Sequence, residues 1–543
     1  MSDERKLTLY RNGSVYSAAD PFASAMLVDG GTVAWIGSEQ AATSIADDRM
    51  TIVDLDGALV APGFVDSHVH VGDTGTALAS VDLTRVRSAA ELLDGVKRGS
   101  RDLPPDAVLR GFGWDEATWN DPALPDAAEV GRAAGGRRAI LERVDAHSAL
   151  VSPAVLEAAG IGAAAGTDGA RVVGDALYAA LEATRPVDDD EIVAAHSRAL
   201  SHAASRGYVA LVEQASPRLA GLRDLQLLLG RDPADGPEVF AYWGQAVGTA
   251  EEARSVLDGL GVPVRGLAGD LNIDGSIGSR TARLSEDYAD APGSRGRAFL
   301  GASEIAAHLA AVSEIGVQGG FHVIGDAGLQ LALEGLRRAA DQVGTAAVRA
   351  AGHRLEHVEM ASDADAAALA EYGVTVSAQP LFDATWGGPG GLYEKRLGAR
   401  HAGMNPFLRF SSAGVPLAFG SDSPVCAQSP WASVRACLTH SDPAQRISAR
   451  AAFLGHTRAG WRAVKHPNPL MGQLVPGAPA SFAVWRADEL MVQVADERVQ
   501  AWSTDPRART PLLPALDTES LPECLETVHE GRLLFRSEQF PVE

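Results

Sequence analysis

Cysteine is scarce in this chain: Cys426, Cys437 and Cys524 are the only three among 543 residues. Three thiols without close spacing exclude a zinc knuckle and leave one unpaired, which suits a reducing compartment; the expected location is the cytoplasm. Lysine is also rare, with Lys6, Lys97, Lys395 and Lys465 the only four of 47 basic residues. Basic charge as a whole is short, 47 Lys and Arg against 70 Asp and Glu, for a net charge of −23. An acidic surface repels phosphate backbones and anionic lipid, so neither nucleic acid nor a membrane is expected as a partner. A small-molecule substrate is compatible with that charge, and a homodimer is left open. No apolar run reaches the ~18 residues of a membrane span. The start, Met1-Ser2-Asp3-Glu4-Arg5-Lys6, leads into no apolar stretch, so no secretory signal is expected. No Gly-x-Gly-x-x-Gly opens a helix after a strand, which removes support for a dinucleotide site. Fixed-period repeats and low-complexity segments are missing too.

What is present is a hydrophobic content of 46% and enough length for a large core without disulfide staples. Residues 1–61 read as short strands (7–10, 25–28, 32–36, 51–55, 58–60) joined by Asn12-Gly13, Asp29-Gly30 and Asp56-Gly57. Such pairs between apolar runs signal tight turns. Residues 470–543 look similar, with runs at 481–485, 491–494, 498–503, 527–528 and 533–535. Two strand-rich ends predict one small sheet domain built from both termini. Between them, strands at 239–243, 271–273, 318–323, 354–358, 374–378 and 417–420 alternate with Ala/Leu-rich helices, such as 303–315 closed by Gly316. Ser362-x-x-Asp365 begins another helix, closed by Gly373. Alternation of this kind implies a parallel sheet, either a closed barrel or a doubly wound sheet. Residues 73–205 break the alternation and read as an insertion after the first parallel strand, over the active-site face.

The strongest chemical signal is Pro62-Gly63-Phe64-Val65-Asp66-Ser67-His68-Val69-His70. On a strand, i and i+2 share a face, so His68 and His70 can approach one ion together. A His-x-His alone is also compatible with an edge strand, but apolar, Gly-rich flanks indicate burial. Metal-competent residues end three further strands: His322, His357 and Asp422. Singly, either histidine fits a core residue bonded to backbone, and Asp422 fits a cap on a helix starting near Pro424. Jointly, His-x-His, His, His and Asp at successive strand ends point to a metal centre. Asp66 shares the face of His68 and is a candidate to orient it, with turn capping as the alternative.

Together these motifs resemble the amidohydrolase superfamily, in its amidohydrolase-3 branch, which includes YtcJ-like proteins and N-substituted formamide deformylases. The matching segments are 62–70, 111–115, 145–150, 274–282, 322–326, 354–357, 378–380, 419–424 and Gly472-x-x-x-Pro476-Gly477-x-x-Ala480. The resemblance implies a distorted (β/α)8 TIM barrel over 62–469, a composite β-sandwich from 1–61 and 470–543, and the insertion at 73–205. It implies a zinc-type centre of one or two ions and places His322 and His357 at it. It also makes Trp114, Asp115 and His147 candidates for the substrate pocket; Gln379, Phe382 and Trp386 join them because they follow the seventh strand. In many relatives a carboxylated lysine, four residues before the Asp-Gly motif, bridges two metals. Here that position is Asp270, and no lysine falls in a barrel strand, so no carboxylysine bridge is expected. Asp270 is then either a ligand or a simple replacement beside a one-metal site.

The expected chemistry is hydrolysis of a non-peptide C–N bond, in a small linear amide, by metal-activated water. Asp422 is the expected general base and acid, and His357 either binds metal or hydrogen-bonds the carbonyl oxygen. Deamination of an amidine or heterocycle uses the same parts, and a catalytically silent metal-binding relative is the rival from another class.

Overall fold

The computed structural model describes residues 7–162, 167–168, 170–186, 188–493, 502–503 and 510–540, with side chains omitted at 167–168, 492–493 and 502–503. Eight parallel strands carry the middle of this α/β fold. They are β1 (Phe64–Val69), β2 (Tyr208–Ala215), β3 (Glu238–Trp243), β4 (Gly266–Leu267), β5 (Gln318–Val323), β6 (Arg354–His357), β7 (Thr375–Ala378) and β8 (Leu417–Phe419). They pair in two arcs, β3-β2-β1 and β4-β5-β6-β7-β8. Backbone hydrogen bonds cross both gaps. Ala268 N donates to Trp243 O at 3.1 Å, and Asp422 N donates to His68 O at 2.8 Å. At the second gap a Cβ on Gly420 would lie 2.4 Å from the His68 nitrogen, so only glycine lets these two segments approach.

Nearly every residue of β1, β2 and β5 is buried, because helices cover the sheet from outside and side chains fill it from inside. The expected helix at 303–315 is Ala302–Glu314, and Gly316 follows it with φ +73°. Ser362 caps Asp363–Tyr372 through a reciprocal capping box with Asp365, and Gly373 ends it in the left-handed region. The fourth strand differs from the expected 271–273. The regular strand is Gly266–Leu267, while Asn272 makes one isolated bridge to His322. Gly269, with φ +83°, turns the chain between them. Asp270 therefore sits on a bend just beyond β4.

The terminal segments pair with one another. Leu59–Pro62 hydrogen-bonds to Phe482–Arg486 in a five-stranded sheet that continues through Glu523–His529 to Arg532–Arg536. A four-stranded sheet of N-terminal strands shares a core with it, through Tyr10, Val28, Val53, Val60, Phe482 and Leu525. The expected turns appear with Asn12, Gly30, Asp56 and Gly57 at positive φ. The run expected at 498–503 lies outside the described residues except for Trp502–Ser503. Between β1 and β2 the chain builds a separate six-stranded sheet, from Val81–Asp82 to Arg171–Val173, with its own apolar core. Among the described residues no helix is long and apolar enough to cross a membrane.

Candidate functional site

The ends of β1, β4, β5, β6 and β8 bring their polar side chains to one point. Asp422 Oδ1 lies 3.2 Å from His68 Nε2 and 3.4 Å from His70 Nε2. Asp270 faces the same histidines, with Oδ2 3.2 Å from His70 Nε2 and Oδ1 3.7 Å from His68 Nε2. His322 Nδ1 is also 3.7 Å from Asp270 Oδ1, and the His322 and His357 ring centres are 4.4 Å apart. Thus His68, His70, Asp270, His322, His357 and Asp422 gather as one cluster. Asp422 caps no helix: the next one begins at Pro430, and its own backbone is left-handed at φ +56°.

The cluster fits a divalent ion on its own geometry. His68 Nε2 and Asp270 Oδ1 are buried and have no hydrogen-bond partner, a costly state for both unless an ion satisfies them. Ligand atoms of His68, His70 and Asp422 lie within 4.8 Å of one another, as do those of His68, Asp270 and His357. Imidazole nitrogens with carboxylate oxygens are the donor set zinc takes. Burial opposes a charged His68, yet Asp422, Glu356 and Asp270 raise its pKa to about 10. Burial opposes ionisation of Asp270 and Asp422 as well, and the neighbouring histidines overcome it and hold both carboxyls below their ordinary range. The carboxylates thus create a strong local demand for positive charge. Of the lysines, Lys97 and Lys395 lie on helices, and Lys395 and Lys465 donate to backbone carbonyls remote from the cluster. None of these three reaches the site.

Two orienting contacts surround the cluster. Glu356 Oε2 lies 2.9 Å from His68 Nδ1, which turns Nε2 toward the centre. Arg354 grips both oxygens of Glu356, at 2.5 and 2.8 Å, donates to Ser67 O, and lies over the Tyr242 ring. Gln379 Oε1 lies 2.7 Å from His357 Nδ1 and fixes that ring in the same way. From the sequence Asp66 is a candidate for this orienting role, with turn capping as the alternative. It accepts instead from Ser421 N at 2.7 Å, Ser421 Oγ at 2.6 Å and Gln428 Nε2 at 3.1 Å, so it ties β1 to the loop that carries Asp422. Glu356 and Arg354 have no role in the sequence reading, although two opposite charges two apart beside His357 were the available signal. Strand alternation puts 356 and 357 on opposite faces; the left-handed backbone of His357, φ +69°, allows both to serve one cluster.

The cavity over the cluster has two lobes that meet at His147, His322, His357 and Asp422. His70, Asp73, Arg110, Glu142, Tyr178 and Asp270 line the larger lobe. Ile277, Ile324, Glu359, Phe382, Trp386 and Tyr393 line the smaller, mainly apolar one. His147 stands beside His322, with ring centres 5.1 Å apart, and burial lowers its pKa to about 4. Phe382 stacks on His357 at 5.8 Å and 9°. His147, Phe382 and Trp386 line the cavity, while Gln379 contacts His357. Trp114 and Asp115 do not line it. Trp114 is wholly buried in the core of the inserted sheet, with Nε1 donating to Leu141 O at 2.8 Å. Asp115 caps a short turn and pairs with Arg143, which in turn lies 3.1 Å from Asp145 of the cavity wall.

A family model described as "Amidohydrolase family" matches residues 51–535, nearly the whole described chain. This chain belongs to the amidohydrolase family. The family member's relatives include Protein LONG AFTER FAR-RED 3 of Arabidopsis thaliana, 26% identical over 88% of this chain and 86% of that protein. YtcJ of Bacillus subtilis is 25% identical over 79% of this chain and 83% of its own length. The N-substituted formamide deformylase of Arthrobacter pascens is 23% identical over 78% and 82%. Among solved structures, an uncharacterized metal-dependent hydrolase from Pyrococcus horikoshii superposes with a TM-score of 0.70 at 24% identity, covering 89% of this amidohydrolase and 98% of the archaeal chain. A second one, from Pyrococcus furiosus, gives 0.68 at 25% identity, over 88% and 98%.

Proposed function

We propose that this amidohydrolase cleaves a non-peptide C–N bond in a small linear amide, using water activated at a zinc centre. The observation that carries the reading is the pair of buried ligand atoms that complete no hydrogen bond, His68 Nε2 and Asp270 Oδ1, beside the Asp422 carboxylate. A bound divalent ion supplies Lewis acidity and lowers the pKa of a water toward ~7. His68, His70, Asp270, His322, His357 and Asp422 are the residues that would hold it. Asp422 Oδ1, already between His68 and His70, accepts the proton of the attacking water and returns it to the departing nitrogen. Gln379 and Glu356 keep His357 and His68 in the orientation that aims a ring nitrogen inward. His147, kept neutral by burial, offers one ring N–H to the substrate at the junction of the lobes.

The fold that accompanies this reading is a distorted (β/α)8 barrel of β1–β8, with the site at the C-terminal strand ends. Residues 1–61 and 470–543 would form the composite sandwich, and 73–205 the insertion over the site. The name of the Arthrobacter pascens relative supports an amide as substrate class. The test is a screen of zinc-loaded protein against a library of small amides, scoring release of both acid and amine. Asp422→Asn should reduce kcat by about 10²–10⁴-fold on any substrate found. Ammonia released without a carboxylic acid would indicate deamination instead, and an unchanged kcat would remove Asp422 from the mechanism.

A further inference from the structure

The smaller lobe holds a buried acid that the mechanism above does not use. Glu359 is 2% exposed, lines the lobe, and its Oε2 has no hydrogen-bond partner. The Tyr393 hydroxyl, which also lines the lobe, likewise completes no hydrogen bond. Placing a carboxyl there without a partner is unfavourable, and structural acids in this protein avoid it: Glu356 and Asp145 are fully paired. The backbone leading to Glu359 is also costly. His357 and Val358 are consecutive left-handed residues, at φ +69° and +49°, and valine, β-branched, is disfavoured there. Strain of this kind next to an unpartnered polar group marks a functional wall rather than a packing one. Three aromatic rings share the wall with it, Phe382, Trp386 and Tyr393, with Phe382 and Trp386 ring centres 4.7 Å apart.

We propose that this lobe is the subsite for the substrate's acyl arm and that it selects a short arm ending in a protonated amine, bound by Glu359 against the aromatic faces. The chemistry is complementary on both counts. An ammonium donates the hydrogen bonds that Oε2 lacks, and aromatic faces attract a desolvated cation. The lobe is small and adjoins Asp422, His322 and His357 directly, so the amine must lie within a few bonds of the reacting carbonyl. A site built around a substrate N–H also discriminates strongly against the isostere that lacks it, because the acid is then left unpaired. The proposal rests on the reading of the cluster as an amide-hydrolysing centre for the direction in which the substrate lies.

The test uses matched p-nitroanilides in which an ammonium replaces a methyl: glycyl against propionyl, and β-alanyl against butyryl. Binding is measured by calorimetry on zinc-loaded Asp422→Asn protein, and turnover on the zinc-loaded wild type. At least one amine-bearing member should bind tenfold or more tightly than its methyl isostere, and adding Glu359→Gln should abolish that preference. Glu359→Leu should reverse it, and unchanged circular dichroism and zinc content establish that each variant is folded and loaded. Equal binding within a pair, a preference that survives Glu359→Gln, or no binding of any of the four overturns the subsite. Turnover of the propionyl or butyryl compound alone would refute the subsite while leaving amide hydrolysis standing. Amine-selective binding without any turnover would do the opposite.

Discussion

Replacing Glu356 by Gln separates the two duties of one side chain. The carboxylate is wholly buried, touches His68 Nδ1 at 2.9 Å, and neutralises Arg354, which is itself wholly buried. Glutamine keeps the shape and removes the charge. The Arg354 guanidinium is then left inside the protein without an anionic partner, held only by neutral acceptors such as the Ser67 carbonyl and by the Tyr242 face. Breaking a buried pair in this way costs about 3–5 kcal/mol. The second loss is at the metal. Removing the partner of a ligand histidine typically weakens metal binding by about 10–100-fold, which corresponds to about 1.4–2.7 kcal/mol. Urea denaturation of the metal-free protein reads the first quantity, and zinc competition against a chromophoric chelator reads the second. The double variant Arg354→Met/Glu356→Gln removes the stranded charge, so it should regain much of the stability and none of the zinc affinity. Zinc affinity within twofold of wild type in Glu356→Gln, or affinity regained in the double variant, would refute the reasoning.

Three further outcomes follow from the same geometry. Burial opposes ionisation of Glu356, but Arg354 and His68 lower its pKa from an ordinary 4.5 to about 2. A depressed carboxyl contributes stability that is complete above its unfolded value and is lost as pH falls from about 4.5 to about 2. Glu356→Gln should therefore flatten the stability-versus-pH curve in that window, and parallel curves for the two proteins would contradict the pairing. Trp114→Ala should destabilise the fold by about 3–5 kcal/mol through the cavity it leaves, without changing substrate preference in the folded protein; a changed preference at full folding would return Trp114 to the pocket. Gln379→Leu should weaken zinc binding less than loss of His68 does, because it frees His357 to rotate without removing a ligand, and calorimetric zinc titration of the three proteins orders them.

Much of the site was legible because strand ends concentrate chemistry. His68 and His70 sit two apart at the end of one buried strand, and His322, His357 and Asp422 lie at or just beyond the ends of three others, so spacing and position drew them together. Asp270 was found through the family resemblance, as the residue standing where many relatives carry a lysine; composition added only that no lysine falls in a barrel strand. The orienting residues were less legible because their roles are set across space. Glu356 meets His68 from a strand nearly 300 residues away, and no local pattern distinguishes it from Asp66, which has the better sequence position and a different partner. Trp114 and Asp115 were drawn toward the pocket by motif alone. Their strand belongs to a separate inserted sheet whose core needs an aromatic, and that sheet left no period in a segment rich in Ala, Asp, Pro and Arg. The two lobes of the cavity arise from elements far apart in sequence, so Glu359 became visible only with its surroundings.

The central claim is that the His68/His70 cluster is a metal centre, and zinc stoichiometry tests it most directly. The wild-type protein is stripped with chelator, reloaded with zinc, desalted and analysed by plasma mass spectrometry, beside His68→Ala/His70→Ala prepared identically and shown to be folded by circular dichroism. The account predicts at least one tightly held zinc per wild-type chain and none retained by the double variant. A wild type that retains no zinc, or a folded double variant with wild-type zinc content, would contradict it.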